Sequence, residues 1–162
     1  MEIPPSPTDK ERRYREVARW LKSLLFTDPD NLGLDEVGRM AIVCTGIKRA
    51  FPEHVFVGFY RVVQPGVLQV GPYQGDVFAC GTIPFSRGVC GACARSGKTV
   101  NVPDVSRFPG YIACDRETQS EIAVPVKKGN QVIAVLDIDS ARPAAFDRTD
   151  QTFLESIAQE FL

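Results

Sequence analysis

Apolar residues recur at helical spacing in two early stretches of the chain. Tyr14, Val17, Ala18, Leu21, Leu24 and Leu25 form one stripe and predict a helix over about 10–26. Asp28-Pro29-Asp30-Asn31 ends it in a turn. Leu34, Val37, Ala41, Cys44 and Ile47 form a second stripe, and Phe51-Pro52 closes that helix. Beyond Pro52 the texture becomes β-rich. Strands are predicted over 55–63 and 67–73, around a Gln64-Pro65-Gly66 turn, and over 78–85. Gly88 opens a short helix that Gly97 caps. A further strand covers 99–102, and 103–114 is loop with a Phe108-Pro109-Gly110 turn. Residues 121–126 and 131–139 read as two strong strands, and Asp147 as the N-cap of a last helix carrying Phe153, Leu154, Ile157 and Phe161. Residues 1–9, rich in proline and serine, read as a flexible tail, and 10–162 as a single domain. Helices, then mostly antiparallel strands, then a helix give an α+β fold, with a central sheet packed by the N- and C-terminal helices.

Strand alternation sharpens the picture near the C-terminus. Ile122, Val124 and Val126 face one way, Glu121 and Ala123 the other. On the next strand Ala134, Leu136 and Ile138 oppose Val135, Asp137 and Asp139. A two-residue turn at Gly129-Asn130 would set Ile122 opposite Asp137, a poor match. A three- or five-residue loop lets apolar meet apolar and puts Glu121 opposite Asp137 or Asp139, so the odd loop is expected. Three carboxylates then share one face, where like charges across strands repel. Solvent on that face is one explanation. A site for a cationic ligand group is the other, with at least one acid raised in pKa and able to donate a proton.

The charge balance is flat, with 19 basic and 20 acidic residues. No basic run exceeds a pair such as Arg12-Arg13 or Lys127-Lys128, which argues against nucleic acid as a partner. No apolar stretch approaches the length of a membrane span. The start, Met1-Glu2-Ile3-Pro4-Pro5, has neither a basic region nor an apolar core of a signal peptide, so a cytoplasmic location is expected.

Five cysteines, Cys44, Cys80, Cys90, Cys93 and Cys114, are an odd number and argue against a structural disulfide framework. Cys44 lies on an apolar helix stripe and reads as inert core. Cys90 and Cys93 form a C-x-x-C at the start of the short helix, where a thiol pKa falls, but the βαβ setting of a redox motif is absent. A zinc site would need isolated Cys80 and Cys114 as further ligands, so no metal is expected. The only histidine, His54, limits any Cys/His pair. Cys114 differs from the rest. It sits in a loop, Gly110-Tyr111-Ile112-Ala113-Cys114-Asp115, ahead of a helix N-cap expected at Asp115 and before the carboxylate hairpin.

These residues carry a resemblance. Gly88-Val89-Cys90-Gly91, Val100-Asn101-Val102-Pro103-Asp104-Val105, Phe108-Pro109-Gly110 and Ile112-Ala113-Cys114-Asp115 resemble a GAF domain of the free methionine-(R)-sulfoxide reductase family. Ser120-Glu121-Ile122-Ala123-Val124-Pro125, Val135-Leu136-Asp137-Ile138-Asp139-Ser140, Gly58-Phe59-Tyr60 and Gly71-Pro72-Tyr73-Gln74-Gly75 fit as well. The likeness runs from about Phe56 to the C-terminus. A GAF fold alone serves many ligand sensors; three cysteines with three acids are the specific part.

The resemblance implies that Cys114 is the nucleophile, that Cys80 resolves its sulfenic acid, and that Cys90 is a second or alternative partner. It further implies that Glu121, Asp137 and Asp139 hold and activate the substrate, with Glu121 as proton donor. Phe56 stands where the family usually has tryptophan, and it shares a strand face with Gly58 and Tyr60, so a smaller aromatic wall remains. Cys93 is an addition to the family pattern. Backbone N–H groups near Ile112, Ala113 and Cys114 are candidates for the substrate carboxylate. The expected reaction is thiol-dependent reduction of free methionine sulfoxide, recycled by NADPH-linked thioredoxin, with no bound cofactor. The competing readings are a non-catalytic GAF small-molecule sensor and a thiol redox sensor. A monomer and a homodimer both stay open.

Overall fold

Thr8 starts the first helix. In the computed structural model, which describes residues 8–31 and 33–162, the Thr8 side chain accepts a hydrogen bond from the Glu11 N–H. Glu11 returns one to the Thr8 backbone, closing a capping box on α1 (Asp9–Phe26). The helix thus begins inside the segment expected to be tail; the rest of that segment, residues 1–7, lies outside the described residues. Helix α2 (Glu36–Ala50) is capped by Asp35. Its buried side is Met40, Val43, Cys44 and Ile47, so Val37 of the expected stripe is exposed instead.

Strands β1 (His54–Gln64), β2 (Val67–Gly75), β3 (Thr82–Pro84), β4 (Val100–Val102), β5 (Ser120–Lys128) and β6 (Gln131–Ser140) form one antiparallel sheet in the order β3-β2-β1-β6-β5-β4. Helix α3 (Gly88–Ser96), ended by Gly97, lies on one face; α4 (Arg148–Phe161), capped by Asp147, joins α1 and α2 on the other. The third strand is shorter than the 78–85 expected. Residues 78–80 leave the sheet edge and Phe78 is 90% exposed, because Cys80 is drawn to a distant partner.

Each side of the sheet carries its own core. Val57, Phe59, Ile122, Val124, Val126, Ala134, Leu136 and Ile138 pack under the three long helices. Phe56, Tyr60, Ala123 and Val135 pack under α3 and the loops. The hairpin register pairs Glu121 with Asp139 and Ala123 with Asp137, so the acids do share a face. The loop behind this register differs from the odd one expected. The turn has two residues, Gly129 and Asn130, and the register shifts between Val126 and Lys127, leaving Ile133 as a bulge. The extra residue supplies the one-step shift that the apolar faces require.

The two terminal helices are tied together. The Tyr14 hydroxyl donates to Asp150 Oδ1 at 2.8 Å, and Lys10 Nζ lies 2.5 Å from Asp150 Oδ2 and 2.9 Å from Asp147. Among the described residues no helix is long and apolar enough to cross a membrane.

His54 is 4% exposed, with the Phe51 ring stacked at 5.3 Å and Phe146 tilted at 5.3 Å. Among the described residues neither ring nitrogen has a hydrogen-bond partner. Burial holds its pKa down at about 4; the nearby Glu53 carboxylate opposes this, and Lys48, Arg13 and Lys10 add to it. A folded pKa below the unfolded value of about 6.5 makes this contribution complete above pH ~6.5 and lost as pH falls towards about 4. His54→Phe is therefore expected to keep the fold and to lose about 2–3 kcal/mol less than the parent between pH 7 and 4.5. Denaturant melts of both proteins at the two pH values measure this. Equal acid losses would show that His54 is not the sensitive group.

Candidate active site

The site forms where three chain segments meet over the α3 face of the sheet. The first is the pleat of β1, β5 and β6. Phe56 pairs with Asp139 and Gly58 with Asp137 across β1 and β6, while Glu121 pairs with Asp139 across β5 and β6. A side chain at position 58 would strike the Phe56 ring, since a Cβ there would come within 2.5 Å of it and of Tyr73. Glycine thus lets Phe56 lie flat, stacked on Tyr73 at 5.2 Å and 6.2 Å from Tyr60. The expected aromatic wall of Phe56 and Tyr60 is present, and Tyr73 backs it.

The second segment is the start of α3. Gly88 has φ of +73° and its N–H donates to the Gly110 carbonyl at 3.0 Å. A Cβ there would meet Ile112 at 3.2 Å in a backbone conformation that side chains avoid. This glycine brings the 110–112 loop against the helix and sets Cys90 below the acids.

The third segment is the pair of loops that carry Cys80 and Cys114. The two residues are joined in a disulfide, with Cα atoms 5.3 Å apart and a sequence separation of 34. That separation is within the ordinary range for such a bond. Cys44, Cys90 and Cys93 are free and buried. The four-cysteine zinc arrangement weighed from the sequence is therefore not formed. Asp115 does not cap a helix as expected. Its carboxylate accepts from the N–H groups of Glu117 and Thr118 and from the Thr118 hydroxyl, fixing a tight turn behind Cys114. Asp favours both settings, since it can cap a helix or bond its own turn.

Together these elements enclose a cavity of about 20 Å³, roughly the room one water takes. Phe56, Tyr60, Cys90, Ile112, Cys114, Glu121, Asp137 and Asp139 all line it. Of the residues singled out from the sequence, Cys80 borders it through the disulfide, and Ala113 is exposed and does not line it. Tyr111 and Asp115 line it too, and neither was singled out from the sequence as a site residue. The Asp115-x-x-Thr118 spacing, typical of a side-chain-bonded turn, was the available signal. Among the described residues, none accepts a hydrogen bond from the N–H groups of Ile112, Ala113 or Cys114.

The acids are buried, not solvated. Glu121, Asp137 and Asp139 are 6%, 4% and 8% exposed, and none enters an ion pair among the described residues. Among the described residues Asp137 Oδ1 and Asp139 Oδ1 have no hydrogen-bond partner. Burial, and then the charges of Asp137 and Asp139, push the Glu121 carboxyl well above its ordinary pKa. Burial raises Asp137 to about 6, with Glu121 and Cys90 holding it down by hydrogen bonding. Asp139 is pushed well up by burial and by Asp137, and the Thr118 hydroxyl only partly opposes this. The Cys90 thiol lies 3.8 Å from Glu121 Oε1 and donates to it; burial and the acids push this thiol up in pKa. The arrangement offers a neutral acid, buried negative charge without a counter-ion, an aromatic wall and a redox pair at the mouth.

Comparison with known proteins matches the same span. The family profile described as GAF domain matches residues 14–161. The chain is 37% identical over 152 residues to Protein YtsP of Bacillus subtilis, covering 93% of this chain and 90% of the relative. It is 44% identical over 107 residues to free methionine-R-sulfoxide reductase of Saccharomyces cerevisiae, covering 64% of this chain and 59% of that protein. Among solved structures, free methionine-R-sulfoxide reductase from Neisseria meningitidis, in complex with its substrate, superimposes with a TM-score of 0.84 at 39% identity. That match covers 97% of this chain and 90% of the other.

Proposed function

The chain belongs to the GAF domain family, within its free methionine-R-sulfoxide reductases, and on that premise we propose that it reduces free L-methionine-(R)-sulfoxide to methionine at Cys114. The observation that carries the reading is the set of three buried acids without a basic partner, beside the cavity that the Cys80–Cys114 pair closes. Buried charge needs a counter-ion, and the α-ammonium of a free amino acid supplies one. Peptide-bound methionine sulfoxide has no such group, so the acids favour the free form.

The chemistry follows from the residues. Sulfoxide oxygen is a poor leaving group until it is protonated, and Glu121, kept neutral by its neighbours, donates that proton. The Cys114 thiolate attacks sulfur, methionine leaves as the thioether, and Cys114 retains the oxygen as a sulfenic acid. The Cys80 thiol condenses with it, releasing water and forming the disulfide. A thioredoxin dithiol then exchanges with that disulfide and carries the two electrons in from NADPH. Asp137 and Asp139 hold the ammonium, the free N–H groups of Ile112, Ala113 and Cys114 hold the carboxylate, and Phe56 and Tyr60 flank the sulfur methyl group. Aromatic contacts to sulfur contribute about 0.3–1.5 kcal/mol. Cys90 stays a thiol beneath Glu121 and is the alternative partner for Cys114. A cytoplasmic, thiol-reducing compartment fits this cycle.

The test is thioredoxin-coupled NADPH oxidation with free methionine-(R)-sulfoxide, its S epimer and a peptide-bound form. Turnover of the free R epimer alone is the expected result. Equal turnover of the peptide-bound form would remove the ammonium role of the acids. No turnover with any of them would leave a sensor domain.

A further inference from the structure

Cys90 joins two of the acids in a set of donors that the reduction does not use together. Its sulfur, an oxygen of Glu121 and an oxygen of Asp137 lie within 4.8 Å of one another, all on buried residues. The sulfur is 3.8 Å from Glu121 Oε1. Zinc binds thiolate at about 2.3 Å and carboxylate oxygen at about 2.0–2.2 Å. Tetrahedral donors at those bond lengths stand roughly 3.5 Å apart, so this sulfur–oxygen pair is within a few tenths of an ångström of the spacing zinc needs.

A second observation is independent of that clustering. Asp137 Oδ1 is buried and, among the described residues, unpartnered, and Asp137 lines the cavity, which has room for one water-sized sphere. A space of that size holds a water or a single ion. One sulfur with carboxylate oxygens suits a borderline-soft cation, not magnesium or calcium, which take oxygen-only shells. Among the described residues neither Glu121 nor Asp137 enters an ion pair with a basic side chain.

We propose that Cys90, Glu121 and Asp137 bind one zinc ion in the disulfide form, with the fourth position left to water. Zinc then takes the place that the substrate ammonium occupies, and the bound ion excludes substrate; this last step alone rests on the proposed reductase reading.

The disulfide form is the right material for the test, because Cys80 and Cys114 offer no thiolate there. Cobalt(II) serves as the probe, since a thiolate ligand gives it a sulfur-to-metal charge-transfer band, and zinc displaces it. The expected result is one cobalt per chain with a single-thiolate band, removed by stoichiometric zinc. Cys90→Ser should abolish the band and weaken zinc binding by more than about 100-fold, beyond the ~10–100-fold that loss of a supporting neighbour costs. Cys44→Ser and Cys93→Ser should keep both. Asp137→Asn, which removes a carboxylate without opening the core, should also weaken binding. A band that survives Cys90→Ser, or none in the disulfide form, overturns the proposal. So does a band that appears only after reduction and vanishes in Cys114→Ser. Zinc binding without methionine sulfoxide turnover would keep the metal site and remove the reductase reading; turnover without zinc binding does the reverse.

Discussion

Cys114→Ser is expected to abolish reduction of free methionine-(R)-sulfoxide, by at least about a thousandfold in kcat/KM and including the first turnover. Serine keeps the size and the loop, but its hydroxyl is not a thiolate and cannot carry the oxygen away as a sulfenic acid. Cys80→Ser separates attack from recycling. With Cys80 removed, one equivalent of methionine per enzyme should still form in a single mixing experiment, and steady-state thioredoxin-coupled turnover should fall. Rapid quench with methionine detection distinguishes the two. A first turnover in Cys114→Ser would move the nucleophile elsewhere. Loss of the first turnover in Cys80→Ser would make Cys80, not Cys114, the attacking residue.

The second large effect runs in opposite directions for activity and stability. Asp137 has a folded pKa of about 6, above the unfolded value of about 3.9. An acid raised in this way favours the fold while it is protonated. Its contribution is present below the unfolded pKa and is lost as pH rises through about 6, so at neutral pH the ionised group weighs against the fold. Asp137→Asn should therefore raise stability at pH 7.5 by about 1–2 kcal/mol, with the gain shrinking as pH falls to 4. The same change removes a buried charge facing the substrate ammonium. Losing one side of such a pair costs about 2–5 kcal/mol, so kcat/KM should drop by at least about thirtyfold, mostly through KM. Denaturant unfolding at two pH values and steady-state kinetics check both halves. A variant less stable than the parent at pH 7.5 would show that Asp137 is a structural acid.

Much of this site is written in the alternation of the two C-terminal strands. Side chains there follow a period of two, so apolar Ile122, Val124, Leu136 and Ile138 force the acids onto the other face whatever the loop does. The Ile133 bulge left no mark in composition, so matching the apolar faces with an unbroken register called for an odd loop where the turn has two residues. Burial of the acids was equally hidden. A polar face on a hairpin reads as solvated, and what covers this one comes from α3 and from the loops around Cys80 and Cys114, far away in sequence. Residues 78–80 have the composition of a strand, yet a covalent partner pulls them off the edge. Cys114 stood out by its loop and by family resemblance, whereas Tyr111 and Asp115 acquire their places only through tertiary contact.

The Tyr14–Asp150 hydrogen bond spans 136 residues of chain. During synthesis at about 5–20 residues per second, α1 emerges on the order of ten seconds before the helix that covers its Tyr14 face. Over that interval Tyr14, Leu21 and Leu25, all buried in the finished fold, lack the α4 side of their core. The amphipathic first helix therefore cannot complete its core until the chain is nearly finished, and its docking onto α4 is a late event in biogenesis.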